Sequence, residues 1–164
     1  MKKFTKHIII HSALDTVFAY FDDISNTGMH MTKSSMPMMG GKLELIQLSP
    51  HGTGLHSKFQ WKGRVLWMGM DFTVVVTQWK KNELKVWETI GVAKMIILSW
   101  YRMHLMLRNV PDGTRADLNI IYKTPENFFG KILAFFLAGW YANWCLKKML
   151  NDAKKILEHN TSTM

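Results

Sequence analysis

The stretch from Gly28 to Gly41, GMHMTKSSMPMMGG, gathers five of the chain's thirteen methionines around His30. Thioether sulfur and imidazole suit copper(I), so residue type alone makes the stretch a metal candidate. Methionine, however, recurs elsewhere, at Met68, Met70, Met103 and Met106. Flexible thioethers equally suit an adaptable apolar rim. The rim is the preferred reading, with Met38 and Met39 its leading residues, and no metal is assigned.

Other chemistry-bearing residues are scattered. The histidines stand at 7, 11, 30, 51, 56, 104 and 159. His7 with His11, and His51 with His56, lack an accompanying cysteine or carboxylate set, and no HExxH spacing exists. There is no nucleophile elbow, P-loop, GxGxxG or EF-hand loop. The groups left for proton transfer are Glu88, Tyr101 and Tyr122, as weak catalytic candidates. No cofactor is expected.

The bulk numbers describe one globular domain. The chain has 164 residues, 48% hydrophobic and 20% charged. A lone cysteine, Cys145, forbids an internal disulfide and suits a reducing compartment. The start, MKKFTKHIIIHSALD, breaks its apolar run too early for a signal peptide, so a cytoplasmic protein is expected. The formal charge is +9, but the basic residues are dispersed and no nucleic-acid-binding signature appears, so no nucleic-acid partner is expected.

The elements that must position these residues follow from period and turn signals. Phe4 to Ile10 reads as a strand. Ser12 to Asp15 has the form of a capping box opening a helix with Leu14, Val17, Phe18 and Phe21 on one face. Asp23 caps a second short helix, Ile24 to about His30. Six strands follow: Lys42 to Leu48, Leu55 to Trp61, Val65 to Trp79, Leu84 to Thr89, Met95 to Arg108 and Arg115 to Lys123. Turns fall at Pro50 to Gly54, Lys62-Gly63, Lys81-Asn82 and Pro111 to Thr114. Thr124 and Pro125 then open one helix of some thirty residues, to about His159. Strands joined by short turns make an antiparallel meander, and the long helix is the element large enough to cover its apolar face.

Alternation along the strands selects that face. It contains Ala116, Leu118, Ile120 and Tyr122 in the last strand, and Ile97, Ser99, Tyr101, Met103, Leu105 and Leu107 in the one before. It contains Leu66, Met68, Met70, Phe72, Val74 and Val76 in the long strand, and Leu55, Ser57, Phe59 and Trp61 in the second of the six. In Leu84 to Thr89 the inward set is Leu84, Val86 and Glu88, with Trp87 pulling the other way. An aliphatic, methionine and aromatic wall with few polar groups fits either a filled core or an apolar cavity with orienting contacts.

Several stretches resemble the START-like, helix-grip superfamily, SRPBCC, which includes polyketide cyclase/dehydrase-type proteins. "ALDTVFAYFDDISN" resembles its strand-exit helix and "HGTGLHSKFQWKGR" its glycine-led strand. "PDGTRADLNIIYKTPENFFGKIL" resembles its hairpin, last strand and entry to the final helix, and "CLKKMLNDAKKILE" the end of that helix. The resemblance implies an α+β fold, β-α-α-β6-α, with a curved antiparallel sheet wrapped around the C-terminal helix. It further implies a cavity between sheet and helix that holds an apolar ligand, with residues 28–41 at its mouth. The ligand-binding candidates are then Met38, Met39, Phe59, Trp61, Met70, Phe72, Glu88, Tyr101, Met103, Tyr122 and Phe135.

The helix itself is ambiguous. Phe128, Ile132, Phe135, Gly139, Leu146, Leu150, Ala153 and Leu157 form one stripe fit for the sheet. Phe129, Leu133, Phe136, Leu137, Trp140 and Trp144 lie on other faces, and Lys131 and Asn143 argue against a membrane span. Three functions remain in play. The first is binding of a lipid, isoprenoid or polyketide-like molecule, and the second a cyclase or dehydratase using the same cavity. The third is a module that docks on a membrane surface, a partner or a second copy through the aromatic helix.

Overall fold

The computed structural model describes residues 1–33, 40–65 and 67–161. Met38 and Met39 lie outside these residues. The elements run β1 (Lys2–Ile10), α1 (Leu14–Asp22), α2 (Ile24–Thr27), α3 (Met29–Thr32), β2 (Lys42–Gln47), β3 (Lys58–Val65), β4 (Met68–Lys80), β5 (Leu84–Lys94), β6 (Trp100–Val110), β7 (Gly113–Lys123) and α4 (Phe128–Thr161). The expected second helix is two single turns, separated at Gly28.

The seven strands form one antiparallel sheet in the order β1-β7-β6-β5-β4-β3-β2. Sequence neighbours pair through hairpins, and β1 closes onto β7 with Lys2 opposite Tyr122 and Ile10 opposite Thr114. Register shifts between Asp71 and Thr73, and between Val76 and Gln78, interrupt the β4–β5 ladder. Such bulges bend a strand and increase its twist, as a sheet curving around a helix requires.

The expected inner face holds for β7, where Ala116, Leu118, Ile120 and Tyr122 are buried, and for Met103, Leu105 and Leu107 of β6. Three readings change. Lys62-Gly63 is no turn: β3 continues to Val65, and a Cβ on Gly63 would lie 2.4 Å from the Lys42 carbonyl oxygen of β2. Leu55 precedes β3 and is exposed. Met95 to Ser99 form a loop between β5 and β6.

Two caps also differ from expectation. Ala13 occupies the N-cap of α1 without a side-chain bond, while the Ser12 carbonyl accepts from Thr114 Oγ1 at 2.9 Å. Asn127, not Thr124, caps α4, its Oδ1 accepting from Gly130 N at 3.1 Å. Asp23 caps α2 as expected, accepting from Ser25 N at 2.9 Å.

In α4 the buried residues of the first half are small: Ala134, Ala138 and Ala142 are fully buried. Farther along, Leu146, Met149, Leu150, Ala153 and Leu157 are buried. The buried face therefore drifts by roughly a quarter turn along the helix, given ~100° per residue. A single straight stripe describes only the second half, and Phe128, Ile132 and Phe135 are exposed.

The strand parity of β5 reverses at a buried lysine. Lys85, wholly buried, sends Nζ to Asp22 Oδ1 at 3.1 Å and to the carbonyl oxygens of Phe21 and Asp22 at 3.2 and 2.5 Å. An ammonium has three protons, and each finds an acceptor. Asp22 Oδ1 also accepts from Trp79 Nε1 at 3.0 Å and Gly54 N at 3.4 Å. Burial lowers the Lys85 pKa and the Asp22 carboxylate opposes that shift. With Lys85, Trp87 and Thr89 inside, Glu88 faces outward and pairs with Arg102 at 2.8 Å.

Removing one member of a buried pair strands the other's charge. Asp22→Ala is expected to lower unfolding free energy by about 3–5 kcal/mol in urea titrations. Lys85→Met should cost less, about 1–3 kcal/mol, because the Asp22 carboxylate loses the ammonium but keeps Trp79 and Gly54 as donors. Equal effects of the two substitutions would contradict this account.

Candidate functional site

A cavity of about 100 Å³ lies between the sheet, the short helices and α4. The sheet contributes Trp61 and Val65 of β3, Met70 and Phe72 of β4, Trp87 of β5, Tyr101 and Met103 of β6, and Ile120 of β7. On the opposite side stand Ile24, Thr27, Gly28, His30 and Met31, together with Tyr141, Cys145 and Met149 of α4. The loop residues Met95, Ile96, Ile97 and Leu98 complete the wall. Four consecutive side chains cannot share one face of a strand, but they can in a loop that folds over an opening.

Of the residues expected to bind, Trp61, Met70, Phe72, Tyr101 and Met103 meet at this cavity. Phe59 is core packing away from it. Tyr122 is buried and stacked on Phe4 with ring centroids 6.2 Å apart, and its hydroxyl has no hydrogen-bond partner among the described residues. Phe135 is 74% exposed. Glu88 is on the outer face, which removes it as an acid or base in the cavity. Two other polar residues of the expected inner face turn elsewhere. Ser57 Oγ donates to Thr53 O, and Ser99 is exposed with Oγ donating to Thr124 O.

Alternation alone missed Trp87, the Met95–Leu98 loop and the α4 wall. The signals were present: Met95 to Leu98 is an unbroken apolar run, and Tyr141, Cys145 and Met149 fall at i, i+4 and i+8 on one helix stripe.

The polar groups in the wall are mostly proton-bearing at neutral pH. Burial pushes the Cys145 thiol up to about 12, against a hydrogen bond with Tyr141. Burial likewise raises Tyr101 and Tyr141. These three are donors rather than bases or nucleophiles, since nucleophilic sulfur requires the thiolate. Tyr141 is hydrogen-bonded to Cys145. Tyr101 packs edge-on against Phe72, and its hydroxyl has no hydrogen-bond partner among the described residues.

His30 stands in the partition between this cavity and an outer groove bordered by Lys33, Lys148, Asp152 and Lys155. Its Nδ1 lies 3.1 Å from the Thr27 carbonyl oxygen, so Nδ1 carries the proton and Nε2 is an acceptor. Its ring meets Trp144 edge-on at 5.4 Å. Among the described residues no three histidine, cysteine or carboxylate side chains cluster for a metal.

No protein-family model and no curated protein matches the chain. Solved structures share its fold. The TTHA0849 protein of Thermus thermophilus is 12% identical, with a TM-score of 0.71, over 97% of this chain and 99% of that one. The Zhui aromatase/cyclase of Streptomyces sp. R1128 is 9% identical, with a TM-score of 0.64, over 94% of each chain. The di-domain aromatase/cyclase StfQ of the steffimycin pathway is 11% identical, with a TM-score of 0.66, over 98% of this chain and 52% of that one. The chain thus has the helix-grip fold that these structures share.

Two outcomes follow from the wall. A Cβ on Gly28 would fall 2.2 Å from the Trp61 ring, which is buried and has nowhere to retreat but the cavity. Gly28→Ala should therefore cost about 1–3 kcal/mol and close part of the cavity, read by urea melts and by apolar-probe binding. Burial pulls the His30 imidazole from 6.5 down to about 4, with Thr27 and Asp152 opposing and Lys148 assisting. The unfolded chain then binds more protons between those values, so stability is full above 6.5 and falls as pH drops toward 4. About 2 kcal/mol should be lost from pH 7 to pH 5 on this account. His30→Gln should flatten that part of the pH profile; an unchanged slope would assign it to other groups.

Proposed function

We propose that the protein binds a small apolar molecule carrying one hydrogen-bond-accepting oxygen. The observation that carries this reading is a wall of carbon and sulfur with Tyr101 as a donor that has no partner among the described residues. An oxygen that accepts from Tyr101 would satisfy that hydroxyl while the rest of the molecule meets Trp61, Phe72, Met70 and Met103. Two of the solved structures that share this fold carry aromatase/cyclase in their names, and ring-bearing apolar molecules belong to the same chemical class.

Volume sets the terms of binding. The cavity holds about 100 Å³, whereas an apolar cavity of ~150 Å³ accommodates benzene and drug-sized pockets begin near ~300 Å³. A ligand of the size of a lipid or polyketide therefore requires side chains to move. Met31, Met70, Met95, Met103 and Met149 supply that movement, because unbranched thioethers rotate at low cost. Of the methionine cluster that first suggested a metal, Met31 is the member that lines this wall among the described residues.

A turnover reading has less support. Glu88, the acid expected inside, is outside, and the thiol and phenols that line the cavity are held protonated. Binding is the function the geometry favours.

The experiment is native mass spectrometry of protein purified from its host, followed by titration of the recovered molecule. Met103→Trp, which fills the cavity, should abolish co-purification while preserving the fold. Tyr101→Phe should weaken an oxygen-bearing ligand about 3- to 10-fold and leave a hydrocarbon of equal size unaffected, as for one hydrogen bond of ~1 kcal/mol. Retention of the ligand by Met103→Trp would place binding elsewhere.

A further inference from the structure

The exposed large apolar residues are not spread evenly. Phe128, Phe129, Phe135 and Phe136 are 73%, 83%, 74% and 71% exposed, and Ile132 and Trp140 join them. At ~100° per residue these six positions fall within an arc of roughly 140° on α4. Single exposed apolar side chains are ordinary on any surface, but a contiguous face of this kind marks a contact site.

The strand registers put more of the same at this end of the sheet. Lys2 pairs with Tyr122, Trp100 with Lys123, Asp71 with Lys94, Val65 with Met68 and Lys42 with Arg64, so these residues lie along one sheet end. Trp67, 77% exposed, is in the turn between β3 and β4, and Val92, 93% exposed, is near the far end of β5. The start of α4 follows β7 at the same end. So does the Met95–Leu98 loop that walls the cavity.

The charge at this end has one prevailing sign. Lys2, Lys42, Arg64, Lys94 and Lys123 are exposed there, with Lys131 beside the aromatic arc. Against them stand Glu126, the half-buried Asp71, whose carboxylate accepts from Gln60 Nε2 at 2.7 Å, and the exposed Glu44, which faces Lys62 in the same row. After Glu126 no acid follows until Asp152. A second copy of the chain would bring these cations face to face. A surface of negative charge over an apolar interior would meet both features at once.

We propose that this end of the molecule docks on an anionic lipid bilayer. The first three turns of α4 lie in the interface with the phenylalanines toward the acyl region. Trp140 and Trp67 sit at headgroup depth and the lysines lie against lipid phosphate. The contact is peripheral, since no helix among the described residues is long and apolar enough to cross a membrane. Docking this end also brings the Met95–Leu98 wall to the bilayer, giving an apolar guest a route that avoids water. That last consequence rests on the ligand reading above; the docking itself does not.

The test is co-sedimentation of the full chain with vesicles. The vesicles are phosphatidylcholine alone or an equal mixture with phosphatidylglycerol. Binding to the mixed vesicles is expected at about 50 mM salt and should fall at least tenfold by about 500 mM. Phe129→Ser with Phe136→Ser should lower partitioning about tenfold or more without changing the melt, since both side chains are already in solvent. Lys94→Glu with Lys131→Glu should weaken binding to the mixed vesicles selectively and serves if the first pair misfolds. The proposal is overturned by absent binding to mixed vesicles at low salt. It is equally overturned by binding indifferent to both variant pairs, or by a dimer in sedimentation equilibrium that the phenylalanine substitutions dissolve. Ligand mass measured on the same preparations separates this outcome from failure of the ligand reading.

Discussion

Lys85 carries a positive charge into the interior and places it against the carbonyl end of α1. The last carbonyls of a helix lack partners within the helix and sit at the negative end of its dipole. Here a strand residue meets them, and the Asp22 carboxylate completes the shell. The same carboxylate draws in Trp79 of β4 and the Gly54 loop, so one charged cluster ties α1 to two strands and a loop. The placement of α2 and α3 follows, because Asp23, next in sequence, caps α2. The short helices on one side of the cavity are therefore indexed to a lysine on the sheet. An apolar core could hold these layers together, but directional bonds fix where along each other they stop.

Around that fixed frame the cavity wall is soft in composition. Five of its side chains are thioethers, while its rigid members, Trp61, Phe72 and Trp87, are on strands and buried. The polar groups are few, and burial holds Cys145, Tyr101 and Tyr141 in their protonated, donating forms. The outcome is an interior with a fixed aromatic side and a deformable one, in which hydrogen-bond donors are few. His30 belongs to this logic too, since its low pKa keeps the partition beside the lysine-lined groove uncharged.

The fold was legible because its signals are redundant. Six strands with turn residues between them, and a long apolar helix after Pro125, leave few alternatives. Inner faces were legible where alternation is unbroken, as in β7 from Ala116 to Tyr122. They failed where a residue contradicts its environment. Lys85 reads as outward from its type alone, yet it lies inside, and with it Trp87 is in and Glu88 out. The bond that reverses this comes from Asp22, far away in sequence, and no local pattern encodes it. The face of α4 failed for another reason: its buried positions drift as the helix crosses a twisted sheet, so Phe135 falls outside while Ala134 falls inside. Of the site, alternation found Trp61, Met70, Phe72, Tyr101 and Met103 but not Trp87, the Met95–Leu98 loop or Tyr141, Cys145 and Met149.

The row Ala134, Ala138 and Ala142 separates two properties that usually change together. The inner residues set how closely the helix approaches the sheet; Gly139, where a Cβ would lie 3.4 Å from the Phe4 ring, is part of the same spacing. The outer residues set what the helix adheres to. Substitutions on one side leave the other nearly untouched. Descent can thus retune the interior dimensions of this scaffold and its external attachments as independent traits, along a single stretch of about three turns.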